Sequence, residues 1–151
     1  ENMERTLILV KPDGLQRGLS GEIIGRLEKT GLKISGMKLL HLSKEIASIH
    51  YEEHIGKPFF EDLVSYICSG PIIALVLEGP NAVEKTRNII GKTNPLESPG
   101  GTIRGDLGLE VSRNLIHGSA NIGDANREIN IFFEKQEIIE YKRSNDKWII
   151  D

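Results

Sequence analysis

The sequence predicts a small α/β sandwich in one compact domain, residues 1–151. Three observations carry that reading. Strand-like and helix-like hydropathy patterns alternate along the chain, and only four segments read as strands. A chain of 151 residues with 38% apolar content suffices for one well-formed core and is short for two domains. So few strands for so many helices depart from a simple doubly wound sheet. No internal repeat, low-complexity tract or shift in composition divides the chain.

Thr6 to Val10 is a β-rich apolar run that reads as the first strand, and Lys11 stands at its end, where a lysine must leave the core. Glu22 to Lys29 sets Ile23, Ile24 and Leu27 at helical spacing, and Gly31 closes that helix as a C-cap. Leu32 to Leu42 alternates Leu32, Ile34, Met37 and Leu39 loosely, as a long bulged strand does. Lys44 to His54 and Phe59 to Ile67 read as two helices broken by Gly56-Lys57-Pro58. Ser69-Gly70-Pro71 turns the chain into the apolar strand Ile72 to Leu77, and Asn81 is the expected cap of a helix reaching Ile90. The Gly/Pro-rich stretch from Gly91 to Arg113 is too long for a routine connector and is expected to be functional. Leu115-Ile116 reads as the end of a buried strand, so that His117 leaves the sheet at its edge. From Asn121 to Phe133 the period is helical, with Ile122, Ala125, Ile129, Phe132 and Phe133 on one face. Glu128 lies off that stripe and can point back at His117.

A formal charge of −3 and a pI near 5.9 argue against a general affinity for nucleic acid, whose binders carry a basic bias. The lone cysteine, Cys68, allows neither an intramolecular disulfide nor a cysteine-based metal site, and its apolar flanks read as a small buried hydrophobe. The amino terminus shows no charged-then-apolar leader, and no apolar run reaches membrane-spanning length. These features read as a soluble cytoplasmic protein with no membrane partner.

The chemistry concentrates in Asn114-Leu115-Ile116-His117-Gly118-Ser119, with Glu128 following. A neutral imidazole nitrogen is a good nucleophile near neutral pH, and Gly118 lets a substrate approach the backbone. Taken alone, Glu128 reads as a solvated helix residue, Ser119 as a turn former, Tyr51 as a helix-face residue and Phe59-Phe60 as core anchors. Gly91-Lys92-Thr93 mimics the end of a phosphate-binding loop, but Thr86 stands where its first glycine belongs and the preceding segment is helical. His41, His50, His54 and His117 are scattered, and the His50/His54 helical pair lacks a suitably spaced third ligand, so no protein metal site is expected.

The string around His117 and the later Arg127-Glu128-Ile129 resemble the signature of nucleoside diphosphate kinases. So do Lys11-Pro12-Asp13-Gly14 with Gln16-Arg17-Gly18, Gly56-Lys57-Pro58-Phe59-Phe60, Ser69-Gly70-Pro71, Thr93-Asn94-Pro95 and Gly101-Thr102-Ile103-Arg104-Gly105-Asp106, in the family's order. The resemblance implies a ferredoxin-like βαββαβ sandwich, an α+β fold with an antiparallel four-stranded sheet and additional helices. It implies a ping-pong transfer of the terminal phosphoryl group from a nucleoside triphosphate to a diphosphate through a phosphohistidine at His117. Glu128 would orient the imidazole, Ser119 would support Glu128, and Tyr51 would lie beside the histidine. Arg87, Arg104 and Thr93 would meet phosphates, Lys11 and Asn114 the sugar hydroxyls. Phe59 would stack the base, with Val111 opposite and Leu63 nearby. Magnesium would arrive chelated by nucleotide phosphates, and the chain would form homo-oligomers, a hexamer rather than a tetramer, with the tail from Tyr141 to Asp151 as a clamp. The pattern departs at Ala120, where the family usually has Asp. Asn121 is expected to compensate as an N-cap, with Asp124 three residues on. The rival reading is a catalytically silent nucleotide-binding or regulatory subunit, which would be expected to lose His117 or a phosphate ligand.

Overall fold

The computed structural model describes residues 3–151. Strand β1 (Met3–Val10) contributes side chains to two cores because successive residues alternate across a sheet. Leu7 and Leu9 enter one, Ile8 and Val10 the other, and all four are fully buried. The chain continues through α1 (Pro12–Gln16), α2 (Ser20–Glu28), β2 (Lys33–Leu40), α3 (Lys44–His50), α4 (Phe60–Ile67), β3 (Ile72–Pro80), α5 (Ala82–Ile90), α6 (Ile103–Leu107), β4 (Ile116–Gly118) and α7 (Ile122–Phe132).

The strands form one sheet in the order β2-β3-β1-β4, and every neighbouring pair is antiparallel. Ile23 and Leu27 of α2 and Ala82 and Ile90 of α5 pack on the face of Ile8 and Val10. These helices are the two crossovers of a ferredoxin-like βαββαβ unit. Ala47 of α3, Val64 and Ile67 of α4, and Ile129 and Phe132 of α7 cover the opposite face against Leu7 and Leu9. The second half of β1, Leu7 to Val10, is therefore an unbroken apolar run because helices cover the sheet on both sides.

Several sequence expectations shift by a turn or a strand position. β1 begins at Met3, and β2 carries the expected irregularity between Ile34 and Gly36 in its pairing with β3. The Lys44–His54 helix stops at His50, and a separate 3₁₀ turn holds Glu52–His54, so His50 and His54 do not form a continuous helical pair. Asn81 occupies the N-cap position of α5 in a left-handed conformation, φ 51°, without a side-chain cap bond. Asn121 is a working cap, its Oδ1 accepting from the Asp124 amide at 2.8 Å. Cys68 is half-buried.

The long Gly/Pro-rich segment is not structureless. Pro95–Glu97 forms a 3₁₀ turn capped by Asn94, and α6 is capped by Thr102, whose Oγ1 accepts from the Gly105 amide at 3.0 Å. Its entry depends on Gly91, with φ 95°, where a Cβ would lie 1.9 Å from Ser98 Oγ.

Candidate active site

The site is assembled where edge strand β4 meets the loops around it. His117 lies inside β4, paired with Leu9, rather than beyond the strand end as the sequence suggested. The irregular residue is its neighbour Leu115, fully buried with φ 72°. That conformation costs a branched residue about 1–3 kcal/mol and persists only where its surroundings impose it. Here the Leu115 carbonyl accepts from the Lys11 amide at 2.8 Å and its amide donates to Asp13 Oδ2 at 3.1 Å. Asp13 is fixed in turn by the Tyr66 hydroxyl on its other oxygen.

His117 Nε2 stands 2.9 Å from Glu128 Oε1, and Ser119 Oγ donates to the same oxygen at 2.7 Å. Ser119 is fully buried and tied to β1, its amide donating to the Leu7 carbonyl at 3.2 Å. Burial pushes the Glu128 carboxyl up, but the hydrogen bonds of His117 and Ser119 and the charge of His117 more than offset it, leaving the group below the ordinary carboxylate range. A carboxylate facing Nε2 keeps the hydrogen on that nitrogen, so Nδ1 carries the free lone pair.

The ring borders a cavity of about 590 Å³. Lys11, Tyr51, Phe59, Leu63, Arg87, Thr93, Arg104, Val111, Asn114, His117 and Glu128 line it, leaving only Ser119 of the expected residues behind its wall. Lys11 Nζ donates to Asn114 Oδ1 at 2.9 Å, and Asn114 Nδ2 to the Thr93 carbonyl at 3.1 Å. Arg104 reaches the Asn114 and Ile116 carbonyls at 3.1 and 2.5 Å. No carboxylate forms an ion pair with Lys11, Arg87 or Arg104 among the described residues, so this wall is cationic. Burial, then the charge of Arg104, lowers Lys11 to about 8 against the opposing pull of Asp13. Burial and the charge of Arg87 lower Arg104 to about 10. Phe59 and Val111 are about half exposed, at 46% and 52%, though both are large apolar side chains, and both face the cavity.

Sequence reasoning weighed His50 only as one of a helical pair with His54. Its ring lies 4.8 Å from that of His117, edge to face, and 5.3 Å from Phe132. It is 3% exposed, and neither ring nitrogen meets a hydrogen-bond partner among the described residues. Burial, then the charge of His117, lowers its pKa to about 3, so the ring is neutral. The available signal was Ala47, His50 and Tyr51 at i, i+3, i+4 spacing, which places His50 on the buried face of α3. Asp13 and Tyr66 were also unassigned, although Asp13 lies within Lys11-Pro12-Asp13-Gly14.

A cationic wall, the half-exposed Phe59 and the His117–Glu128 pair around one cavity on a ferredoxin-like sheet suit a nucleotide-binding phosphotransferase. Similarity to known proteins agrees. The sequence profile named Nucleoside diphosphate kinase matches residues 4–138. Nucleoside diphosphate kinases of Staphylococcus carnosus and Archaeoglobus fulgidus are 56% and 53% identical over 149 residues, with 99% of each chain covered. The halophilic nucleoside diphosphate kinase of Halobacterium salinarum, solved in complex with CDP, superposes with a TM-score of 0.96 at 46% identity, over 98% of this chain and 99% of its own. A Babesia bovis family member gives 0.94 at 45% identity, over 97% and 99%. The chain belongs to the nucleoside diphosphate kinase family.

Proposed function

We propose that the cavity transfers the terminal phosphoryl group of a nucleoside triphosphate to a nucleoside diphosphate by a ping-pong route through His117. The observation that carries this reading is the Nε2–Glu128 bond, which directs the ring's reactivity to Nδ1. Nδ1 attacks the γ-phosphorus, the N–P bond forms, and the bond to the bridging oxygen breaks, its electron pair leaving with the diphosphate. Glu128 holds the orientation and stabilises the positive charge the ring gains, as a carboxylate does behind a catalytic histidine. Ser119 holds Glu128. The second diphosphate then reverses the step and collects the phosphoryl group.

Phosphoryl transfer asks the protein mainly for positioning and charge stabilisation. Arg87, Arg104 and the Thr93 hydroxyl take the phosphates, and Lys11 with Asn114 the sugar hydroxyls. Burial raises Tyr51 to about 12, so its hydroxyl stays protonated and can donate to a phosphoryl oxygen. Phe59, with Leu63 and Val111, accepts the flat face of any base, which supports broad specificity. Of the carboxylates lining the cavity, Glu128 is already engaged, leaving Glu53 and Asp124. That set suits hydrated magnesium carried by nucleotide phosphates better than a protein cage. Bound there, magnesium neutralises phosphate charge.

The reading extends to one domain over residues 1–151 acting in the cytoplasm as a homo-oligomer, a hexamer rather than a tetramer. Exposed Met37 and Leu39 on edge strand β2 and Trp148, 81% exposed, support self-association. No helix among the described residues is long and apolar enough to cross a membrane. Retention of the imidazole, its carboxylate and the cationic wall supports a kinase rather than a silent subunit.

The test is incubation with γ-labelled ATP and magnesium, an alkaline quench, and a chase with GDP, beside His117→Ala. Alkali-stable, acid-labile label that requires His117 and moves to GTP is expected. Nucleotide binding without label would overturn the reading.

A further inference from the structure

We propose that His50, His117 and Glu128 form a second, regulatory site, one for a borderline-soft divalent cation such as zinc. One donor atom from each residue lies within 4.8 Å of the others. The independent sign is His50. Its neighbours are aromatic, it is 3% exposed, and both of its nitrogens lack partners among the described residues. A buried polar group without a hydrogen bond costs about 1–3 kcal/mol. Leucine or phenylalanine would fill the same place without that cost. A lone pair held edge-on beside a second imidazole and a carboxylate has the makings of a metal ligand.

The donor set distinguishes this ion from the one a nucleotide carries. Two imidazoles and one carboxylate suit zinc with a fourth position open, whereas magnesium prefers oxygen alone. Zinc–nitrogen bonds of about 2.0–2.1 Å in a tetrahedron set donors about 3.3 Å apart. The His117–Glu128 separation of 2.9 Å is near that value, and the widest gap closes by a shift of about 1.5 Å. His117 and Glu128 line the cavity, and His50 stands behind its wall.

The consequence rests on the phosphohistidine reading. An ion on Nε2 replaces the hydrogen held toward Glu128, and that hydrogen moves through solvent to Nδ1 with no net proton released. Nδ1 then has no lone pair for phosphorus. The ion stops phosphorylation while leaving the nucleotide shelf at Phe59 free.

Cobalt(II) titration of the full chain tests the site directly. The expected result is one equivalent per chain with the intense visible bands of four-coordinate cobalt, displaced by zinc and unaffected by excess magnesium. His50→Leu should weaken binding at least about tenfold, the low end of what losing even an outer-shell partner costs a metal site. Should that variant misfold, imidazole NMR of the unaltered protein decides, with paramagnetic shifts expected at His50 and His117 and not at His41 or His54. No stoichiometric binding, a weak six-coordinate spectrum, or shifts confined to His41 and His54 would overturn the proposal. The readout needs no phosphoryl transfer. A chain that binds cobalt yet never labels on His117 would refute the functional reading and leave the cation site standing.

Discussion

Replacing Lys11 by Met should stabilise the fold while disabling the site. Lys11 is 8% exposed, and burial with the charge of Arg104 lowers its pKa from 10.5 to about 8. A fall of about 2.5, at 1.36 kcal/mol each, means that the charged ammonium costs the folded chain about 3 kcal/mol. Methionine keeps most of the volume and removes the charge. It also strands Asn114 Oδ1, which accepts from Lys11 Nζ at 2.9 Å, a loss of about 1 kcal/mol. The net expectation at pH 7 is a gain of about 2 kcal/mol in urea unfolding at matched protein concentration.

The sign of the pH dependence makes the test stringent. Below pH 8 the lysine is charged in both folded and unfolded chains, and its full cost is present. As pH rises through 8 the folded chain sheds a proton that the unfolded chain keeps until about 10.5, so wild-type stability climbs through that window relative to Lys11→Met. Above it the advantage of methionine disappears, leaving the small penalty of the stranded amide. A variant less stable than wild type at pH 7, or a difference that does not move between pH 7 and 10.5, would refute the account. The proposed contact of Lys11 with the sugar hydroxyls is lost at every pH, so activity should fall regardless.

Glu128→Gln should slow labelling of His117 about a hundredfold or more, since an amide can present the wrong dipole to Nε2. In wild type the depressed Glu128 carboxyl contributes stability above the ordinary carboxylate range that is lost as pH falls through its folded value, so the variant should show a flatter acid limb in urea unfolding. Phe59→Ala should raise KM about 5- to 100-fold for purines and pyrimidines alike, because stacking contributes about 1–3 kcal/mol per base, with little change in Tm at a half-exposed position. A defect confined to one base would contradict stacking as the mode of recognition. Ala120→Asp should change turnover less than about tenfold, because Asn121 already caps α7; a hundredfold gain would show that the cap does not compensate.

Legibility in the sequence followed the range of the interactions. Helix faces such as Ile23, Ile24 and Leu27 were readable because the 3.6-residue period is local. The apolar run of β1 was readable as a strand, but its antiparallel place between β3 and β4 rested on the family resemblance, since pairing partners are distant in sequence. The cap at Asn121 was predictable from short-range chemistry, whereas Asn81 adopted the left-handed region and made no cap bond. In the site, His117 and Glu128 were found through a string and a helical offset. His50 was not, because its meaning depends on α3 packing beside α7 and setting its imidazole edge to face with that of His117 on β4, which no spacing along the chain encodes. Asp13 was overlooked for a similar reason: its partner, the amide of Leu115, lies 102 residues away.

Leu115 and Lys11 together explain why the site sits on the short edge strand. A left-handed Leu115 aims its amide at Asp13 and its carbonyl at the Lys11 amide, so the chain can pass from the Asn114 turn into only three residues of β4. Those three residues suffice to register His117 against Leu9 and to carry Ser119 to Leu7. A longer β4 would take up the Asn114 carbonyl that now accepts from Arg104 Nε at 3.1 Å. The strain at Leu115, the buried charge at Lys11 and the unpartnered ring of His50 are each unfavourable for folding. All three lie within a few residues' reach of one imidazole, while the helices packed on both faces of β1 supply the compensating burial. Relieving the buried charge at Lys11 or the unpartnered ring of His50 should yield a more stable protein with a less well-defined His117, whereas Leu115 is a fully buried core side chain whose removal would cost more than its strain. Lys11→Met and His50→Leu should therefore each gain stability while labelling of His117 slows, and a variant that gains both would break the connection between strain and site.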